Sequence, residues 1–262
     1  MLDTFIKLLR LLLYVLIAIV IVNENRNRRL QCASQNRNEW GKTMTRNARI
    51  KSIGADNPFI SKQDLICKVL ISEILNRELR CGDPLSQNKL SADFNLSRGP
   101  VKLALEKLER YGFLVHDETG SFYVNKPDIR FNANIRSIKR QLDLLAASQA
   151  LYDISKDKLE LVQKGYINMA KAFHSKNYVE FFHCDLAFHQ TIVDASQNIY
   201  LKDIYNRYQD LFLFMSICSE ADERLLGRLL YQHQKIFTAL KNRQSEALQA
   251  AIYDHYSSKL LF

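Results

Sequence analysis

The chain has 262 residues, 47% of them hydrophobic, with 8 Gly and 4 Pro. This is enough length and apolar content for two packed domains, and the scarcity of turn formers favours a mainly α protein. The formal charge of +9 does not by itself identify a nucleic-acid binder: residues 1–60 carry ten basic and four acidic residues, whereas residues 61–125 carry nine of each.

The stretch Leu11–Val22 is uninterrupted apolar sequence, within an apolar segment over 8–22. Its twelve residues fall short of the roughly 20 needed to span a bilayer as a helix. Asn23–Asp56 is polar, rich in Asn and Arg, and is expected to be a disordered basic linker. Three origins fit residues 1–60: a membrane anchor with a basic flank, a packed helix, or an upstream stretch preceding a translation start at Met44. The last is the main expectation, with a membrane-tethered form as the alternative.

A helix is expected from Leu65 to Leu79, stopped by Cys81-Gly82-Asp83-Pro84-Leu85. Leu90–Leu108 then reads as a short helix, a tight turn at Asn95–Leu96, and a second helix opened by Ser97, the layout of a helix-turn-helix. Ser97 is a good N-cap, and Pro100 sits in the first turn, where backbone N–H groups lack intrahelical partners. Those N–H groups, with Arg98 and Lys102 beside them, suit phosphates and base edges. Ala92, Phe94, Leu96, Val101, Ala104, Leu105 and Leu108 supply the apolar face between the two helices. Tyr111–Val115 and Ser121–Val124 flank HDETG as a hairpin, which makes the module, over 61–127, a winged helix with Gly120 near the wing tip. With no net charge over this region, its positive potential would have to come from Arg98, Lys102 and the wing.

From Ile129 the pattern is helical throughout, with helices expected near 129–152, 156–174, 177–196, 199–219, 222–241 and 244–261. Ser155 and Ser245 are candidate N-caps. This region, 128–262, is expected to be an all-α six-helix bundle. It has no Gly-rich phosphate loop and no nucleophile elbow, so nucleotide chemistry and acyl transfer are not supported. Asp185 and His189, four apart, share one helix face; His233 and His255, 22 apart across a turn, can reach the same depth on a two-helix hairpin. One carboxylate and three imidazoles make a transition-metal site, with ordinary helix packing as the bland alternative. A metal-dependent enzyme is the less favoured reading, because no additional carboxylate stands at a telling spacing to serve as base. Five cysteines, without a CxxC pair, argue against disulfides and a Cys-type zinc site and fit a cytoplasmic location.

The run RCGDPLSQNKLSADFNLSRGPVKLALEKLERYGFLVHDETGSFYV resembles the winged-helix module of the GntR family of bacterial regulators. It shares Gly82, Leu85, Leu90, Ala92, Ser97-Arg98-x-Pro100-Val101-basic, Ala104-Leu105, Leu108 and Gly112. Lys102 stands where the family usually has Arg, and Leu103 where it usually has Glu. The C-terminal region resembles the FCD effector domain of the FadR-type branch, in its shorter VanR-like form. Asp185, His189, His233 and His255 match that domain's metal tetrad, Lys139–Asp143 is similar to its Arg-x-x-Leu-Glu, and residues 195–198 to its Ala-Ser-Gly-Asn. The resemblance implies a homodimeric DNA-binding regulator, commonly a repressor, on a palindromic operator. Ser97, Arg98, Pro100, Val101, Lys102 and Gly120 would contact DNA. Zinc, nickel or manganese would sit in the tetrad, and Arg140 would pair with a small carboxylate effector. Because the acyl-CoA-binding member lacks the tetrad, an acyl-CoA effector is disfavoured.

Overall fold

The computed structural model describes residues 44–219 and 221–257, which fall into two compact units divided between Ile60 and Ser61. The apolar segment 8–22 and residues 23–43 of the basic stretch lie outside the described residues. Among the described residues, no helix is long and apolar enough to cross a membrane.

In the first unit, α1 spans Arg46–Asp56, with the Thr45 hydroxyl accepting from the Ala48 N–H at 3.3 Å. This corrects the expectation of disorder through Asp56. The Thr cap and the Ile50/Ile53 spacing are helix signals that the Asn/Arg-rich composition masks.

The second unit opens with α2 (Lys62–Leu75). Ser61 accepts from the Asp64 N–H at 3.1 Å and donates to its carboxylate at 2.7 Å. Next come β1 (Pro84–Leu85), α3 (Gln87–Phe94) and α4 (Arg98–Arg110), then β2 (Leu114–His116) and β3 (Phe122–Val124). Asn95 ends α3 in the left-handed conformation at φ 54°, which makes the predicted tight turn. The strands form an antiparallel sheet in the order β1-β3-β2, with Leu114 opposite Val124 and Leu85 opposite Phe122. Ile66, Leu70, Leu90, Phe94, Leu105 and Leu114 are buried at its core. The Lys107 ammonium, 2.6 Å from Asp64, ties α4 to α2 and holds that carboxyl below its ordinary range.

Among the described residues, six helices follow: α5 (Ile129–Asp153), α6 (Lys156–His174), α7 (Tyr178–Ala195), α8 (Ile199–Cys218), α9 (Glu223–Lys241) and α10 (Ser245–Ser257). Asp128, Ser155, Asn177, Asn198 and Asp222 cap the first five through side-chain oxygens. Ser245 is not a cap: it lies inside α10, and the carbonyl before it, from Gln244, accepts the Leu248 N–H at 2.9 Å. Helices α6 and α7 meet at Gly165, where a Cβ would lie 3.3 Å from the Phe188 Cα. We expect Gly165→Val to force these helices apart and cost about 1–3 kcal/mol, read from urea unfolding midpoints. An unchanged midpoint would show that α6 is free to shift. The winged-helix module rests on α8, with the Phe113 and Phe214 rings 5.3 Å apart and Arg77 Nη2 donating to the Ile217 carbonyl at 2.6 Å.

Cys81 and Cys218, 137 residues apart in sequence, form a disulfide. This corrects the expectation that the cysteines are unpaired. The partners sit in different modules, so no local spacing could announce them.

Candidate metal centre and nucleic-acid interface

The tetrad is built on three helices. Asp185 and His189 stand one turn apart on α7, His233 lies midway along α9, and His255 near the end of α10. The three imidazoles are buried, and one ligand atom from each of the four residues lies within 4.8 Å of every other. Ligands held about 2.0–2.1 Å from a common ion lie roughly 3.0–3.4 Å apart at adjacent positions. His189 Nε2 is 3.1 Å from His233 Nε2, which is 2.8 Å from the nearer Asp185 oxygen, and His189 Nε2 is 3.9 Å from that oxygen.

Hydrogen bonds on the outer ring nitrogens orient these rings. His189 Nδ1 faces the Asp143 carboxylate at 3.0 Å, and His233 Nδ1 donates to the Leu229 carbonyl at 2.7 Å. With the outer nitrogens so engaged, both Nε2 atoms face each other and Asp185, an arrangement that suits a positive charge between them, whether a proton or a metal ion. His255 Nδ1 is buried with no hydrogen-bond partner. Burial works against ionisation of Asp185, but the hydrogen bond and charge of His233 outweigh it and hold this carboxyl well below the usual range. Burial and the neighbouring His233 and His189 charges push His255 the other way from protonation, far below an ordinary imidazole. Three imidazoles and one carboxylate are a donor set that fits a divalent ion.

A layer of α5 and α10 supports the tetrad, and sequence reasoning did not assign it. The buried Asp143 carboxylate accepts from His189, from Lys139 Nζ at 3.1 Å and from the Tyr256 hydroxyl, and Lys139 Nζ also lies 2.6 Å from that hydroxyl. The sequence signals are the likeness of Lys139–Asp143 to Arg-x-x-Leu-Glu, which assigns no contact, and the i,i+4 spacing of Lys139 and Asp143, a pattern ordinarily read as a surface ion pair. Beside the tetrad is a cavity of about 60 Å³ lined by Arg136, Lys139, Asp185, Ser219, His255 and Tyr256, among others. Arg140 is not part of it. Its guanidinium lies 5.6 Å from the centre of the Tyr253 ring and its Nε is buried without a partner, whereas Arg136 and Lys139, one turn apart on α5, line the cavity.

On the DNA-reading module, Ser97 takes the extended N-cap conformation, yet its side chain makes no cap hydrogen bond. The other Ser caps here bond the third helical N–H, and in α4 that position is Pro100, which has none. The hydroxyl is therefore left for another acceptor or donor. Ser97, Arg98, Lys102 and Gly120 are exposed, and Pro100 is half-buried. Val101 is fully buried, so it clamps the two helices and cannot reach DNA, a correction to its assigned role. Lys102 pairs loosely with Glu106 at 3.8 Å.

The wing is not a positive element. Asp117 and Glu118 lead into Gly120 (φ +79°), where a Cβ would meet open space. The Asp117 carboxylate accepts from the Thr119 hydroxyl at 2.6 Å, the Ser121 N–H at 3.0 Å and the Tyr123 hydroxyl at 3.0 Å, which together lower its pKa to about 2. Its negative charge is thus built into the turn, and positive potential falls to the start of α4.

Comparison with known proteins agrees with this architecture. Residues 63–124 match the family described as bacterial regulatory proteins, gntR family, and residues 134–258 match the FCD domain. The HTH-type transcriptional regulator YdhC of Bacillus subtilis strain 168 is 25% identical over 185 residues, covering 70% of this chain and 83% of YdhC. The HTH-type transcriptional repressor RspR of Escherichia coli strain K12 is 27% identical over 203 residues, covering 76% and 87%. The crystal structure of a GntR transcriptional regulator from Rhodococcus sp. RHA1 shares the fold, with a TM-score of 0.65 at 16% identity over 75% of this chain and 94% of that one. The gntR-family module joined to an FCD domain in this chain, with relatives named as HTH-type transcriptional regulators, places it in the GntR family of DNA-binding transcriptional regulators.

Proposed function

We propose that the protein is a homodimeric repressor whose FCD bundle holds a divalent metal (zinc, nickel or manganese) on Asp185, His189, His233 and His255, and uses it to sense a small organic carboxylate. The observation that carries this reading is the facing pair of Nε2 atoms, 3.1 Å apart beside Asp185, on rings whose outer nitrogens are engaged by Asp143 and Leu229. When bound, the metal supplies a Lewis-acidic seat for one carboxylate oxygen. Arg136 and Lys139 line the adjoining cavity and favour an anion there, and its volume of about 60 Å³ suits a small acid. Asp143 holds His189 in its ligating tautomer, and Leu229 does the same for His233.

Several observations support the other parts of the reading. Ile138, Leu145 and Tyr152 recur every seven residues along α5 and are exposed, as are Ile199 and Tyr200 on α8. A second copy of the chain would cover this apolar face, and a two-fold dimer matches a palindromic operator. Repression follows the name of RspR. Ser97, Arg98 and Lys102 would hold DNA at the start of α4, and Gly120 would let the wing approach.

A thermal-shift screen of small carboxylates tests the sensing role. A true effector at 100 times its Kd stabilises the protein by about 2.7 kcal/mol, and should do so only in the metal-loaded form. Equal shifts in stripped protein, or none with any acid, would contradict this role. For the reader, duplexes enriched from a random library define the operator. Arg98→Ala should then cost about 1–3 kcal/mol on that duplex and less on random DNA. An equal loss on both would mean that Arg98 holds only phosphate.

A further inference from the structure

The two modules of the second unit are joined by a single covalent link besides the chain itself, and its placement gives it a chemical role. Cys81 lies in the turn between α2 and β1. The next residue, Gly82, donates its N–H to the Val124 carbonyl at 2.8 Å, which ties this turn to the wing strand β3. Cys218 is the last residue of α8, and Met215, Ser216 and Ser219 around it line the cavity beside the tetrad. The cross-link therefore connects the wing sheet to the wall of the metal-site cavity.

Both cysteines are partly exposed, and a larger cavity of about 580 Å³ lies against them, lined also by Arg77, Arg80, Tyr178 and Phe182. Phe182 and Ser219 belong to the walls of both cavities. The two arginines favour the thiolate form of a reduced cysteine, the attacking species in thiol oxidation. Cys67 and Cys184 contrast with this pair: both are buried thiols outside any disulfide, and burial pushes the Cys67 thiol up to about 11.

We propose that Cys81 and Cys218 are a redox site, a dithiol that hydrogen peroxide converts to the disulfide, locking the DNA-reading module to the helix that walls the effector cavity. One thiolate attacks the peroxide O–O bond and becomes a sulfenic acid as the first water leaves. The second thiol attacks that sulfur, the S–O bond breaks, and a second water leaves. Two thiols are oxidised by two electrons in all, and one peroxide is reduced to two waters. A dithiol reductant reverses the step by exchange. In the reduced protein, the Arg77 hydrogen bond to Ile217 and the Phe113–Phe214 contact remain across the junction, and both can break and re-form. The oxidised protein keeps one arrangement of the reader on the bundle, and with it one spacing of the two readers in a dimer.

The test compares full-length protein treated with hydrogen peroxide or with dithiothreitol. Non-reducing peptide mapping should show the Cys81–Cys218 cross-link only after peroxide. Affinity for the selected duplex, measured by fluorescence anisotropy, should differ between the two forms by about fivefold or more. Dithiothreitol should reverse the change, and Cys81→Ser and Cys218→Ser should each abolish it while keeping the affinity of the reduced protein. If a serine variant does not fold, the peroxide–dithiothreitol cycle on the unaltered chain decides. No Cys81–Cys218 cross-link after peroxide, or a cross-link with affinities within about twofold of each other, would overturn the proposal.

Discussion

Replacing Asp143 with alanine is expected to destabilise the protein by about 3–5 kcal/mol, the cost of breaking a buried ion pair by removing one partner. Asp143 is 4% exposed and is the common acceptor for His189, Lys139 and Tyr256. Its carboxyl is held well below the usual range although burial opposes ionisation, because the charges of His189 and Lys139 and the hydrogen bonds of His189 and Tyr256 outweigh desolvation. Without it, the buried Lys139 ammonium keeps the Tyr256 hydroxyl and the neighbouring aromatic rings but loses its counter-charge, and the His189 Nδ1–H loses its acceptor. Asp143→Asn keeps an acceptor of the same shape and should lose less stability while weakening metal binding by about 10- to 100-fold, the usual effect of losing an outer partner of a ligating His. Urea unfolding measures the first effect, and zinc competition with a chelating dye the second. A loss below about 1 kcal/mol in Asp143→Ala would mean that Lys139 and Tyr256 find water instead of each other.

The second large effect is on the metal itself. His233→Ala should lower zinc affinity by more than the 10- to 100-fold that an outer-partner change costs, because it removes a direct ligand. His233 is fully buried and faces both Asp185 and His189. The substitution also leaves a space against the Phe188 ring, whose centre lies 5.0 Å from that of His233, so stability should be compared in metal-free protein. There, the paired change His189→Ala should behave alike if both residues serve one ion. Zinc affinity unchanged by either substitution would return these histidines to ordinary core packing.

Much of this arrangement was readable in the chain. The helix limits of the C-terminal bundle follow from caps such as Ser155 and from turns at Lys176 and Arg243, both at positive φ. Asp185 and His189 at i,i+4 fix one face of α7, and the short turn between α9 and α10 places His233 and His255 side by side, with ring centres 4.5 Å apart. The outer layer was hidden because Lys139 and Asp143 look like a solvated pair until α10 brings Tyr256 over them. The cations of the cavity wall are hard to tell apart in the chain for a related reason: Arg136, Lys139 and Arg140 are neighbours on one helical face, and the packing of Tyr253 against Arg140 sets it apart from the two that line the cavity. Val101 satisfied two sequence patterns, core and reader, and its full burial decides for the core. The Cys81–Cys218 link depends on how two modules meet, which no periodicity records.

The most direct measurement of the central claim is elemental analysis of the full-length chain, purified without a histidine tag or added metal. The account predicts about one divalent metal per chain, lost in the His189→Ala/His255→Ala double variant. Protein that carries no metal, and takes up none from zinc, nickel or manganese, would contradict it.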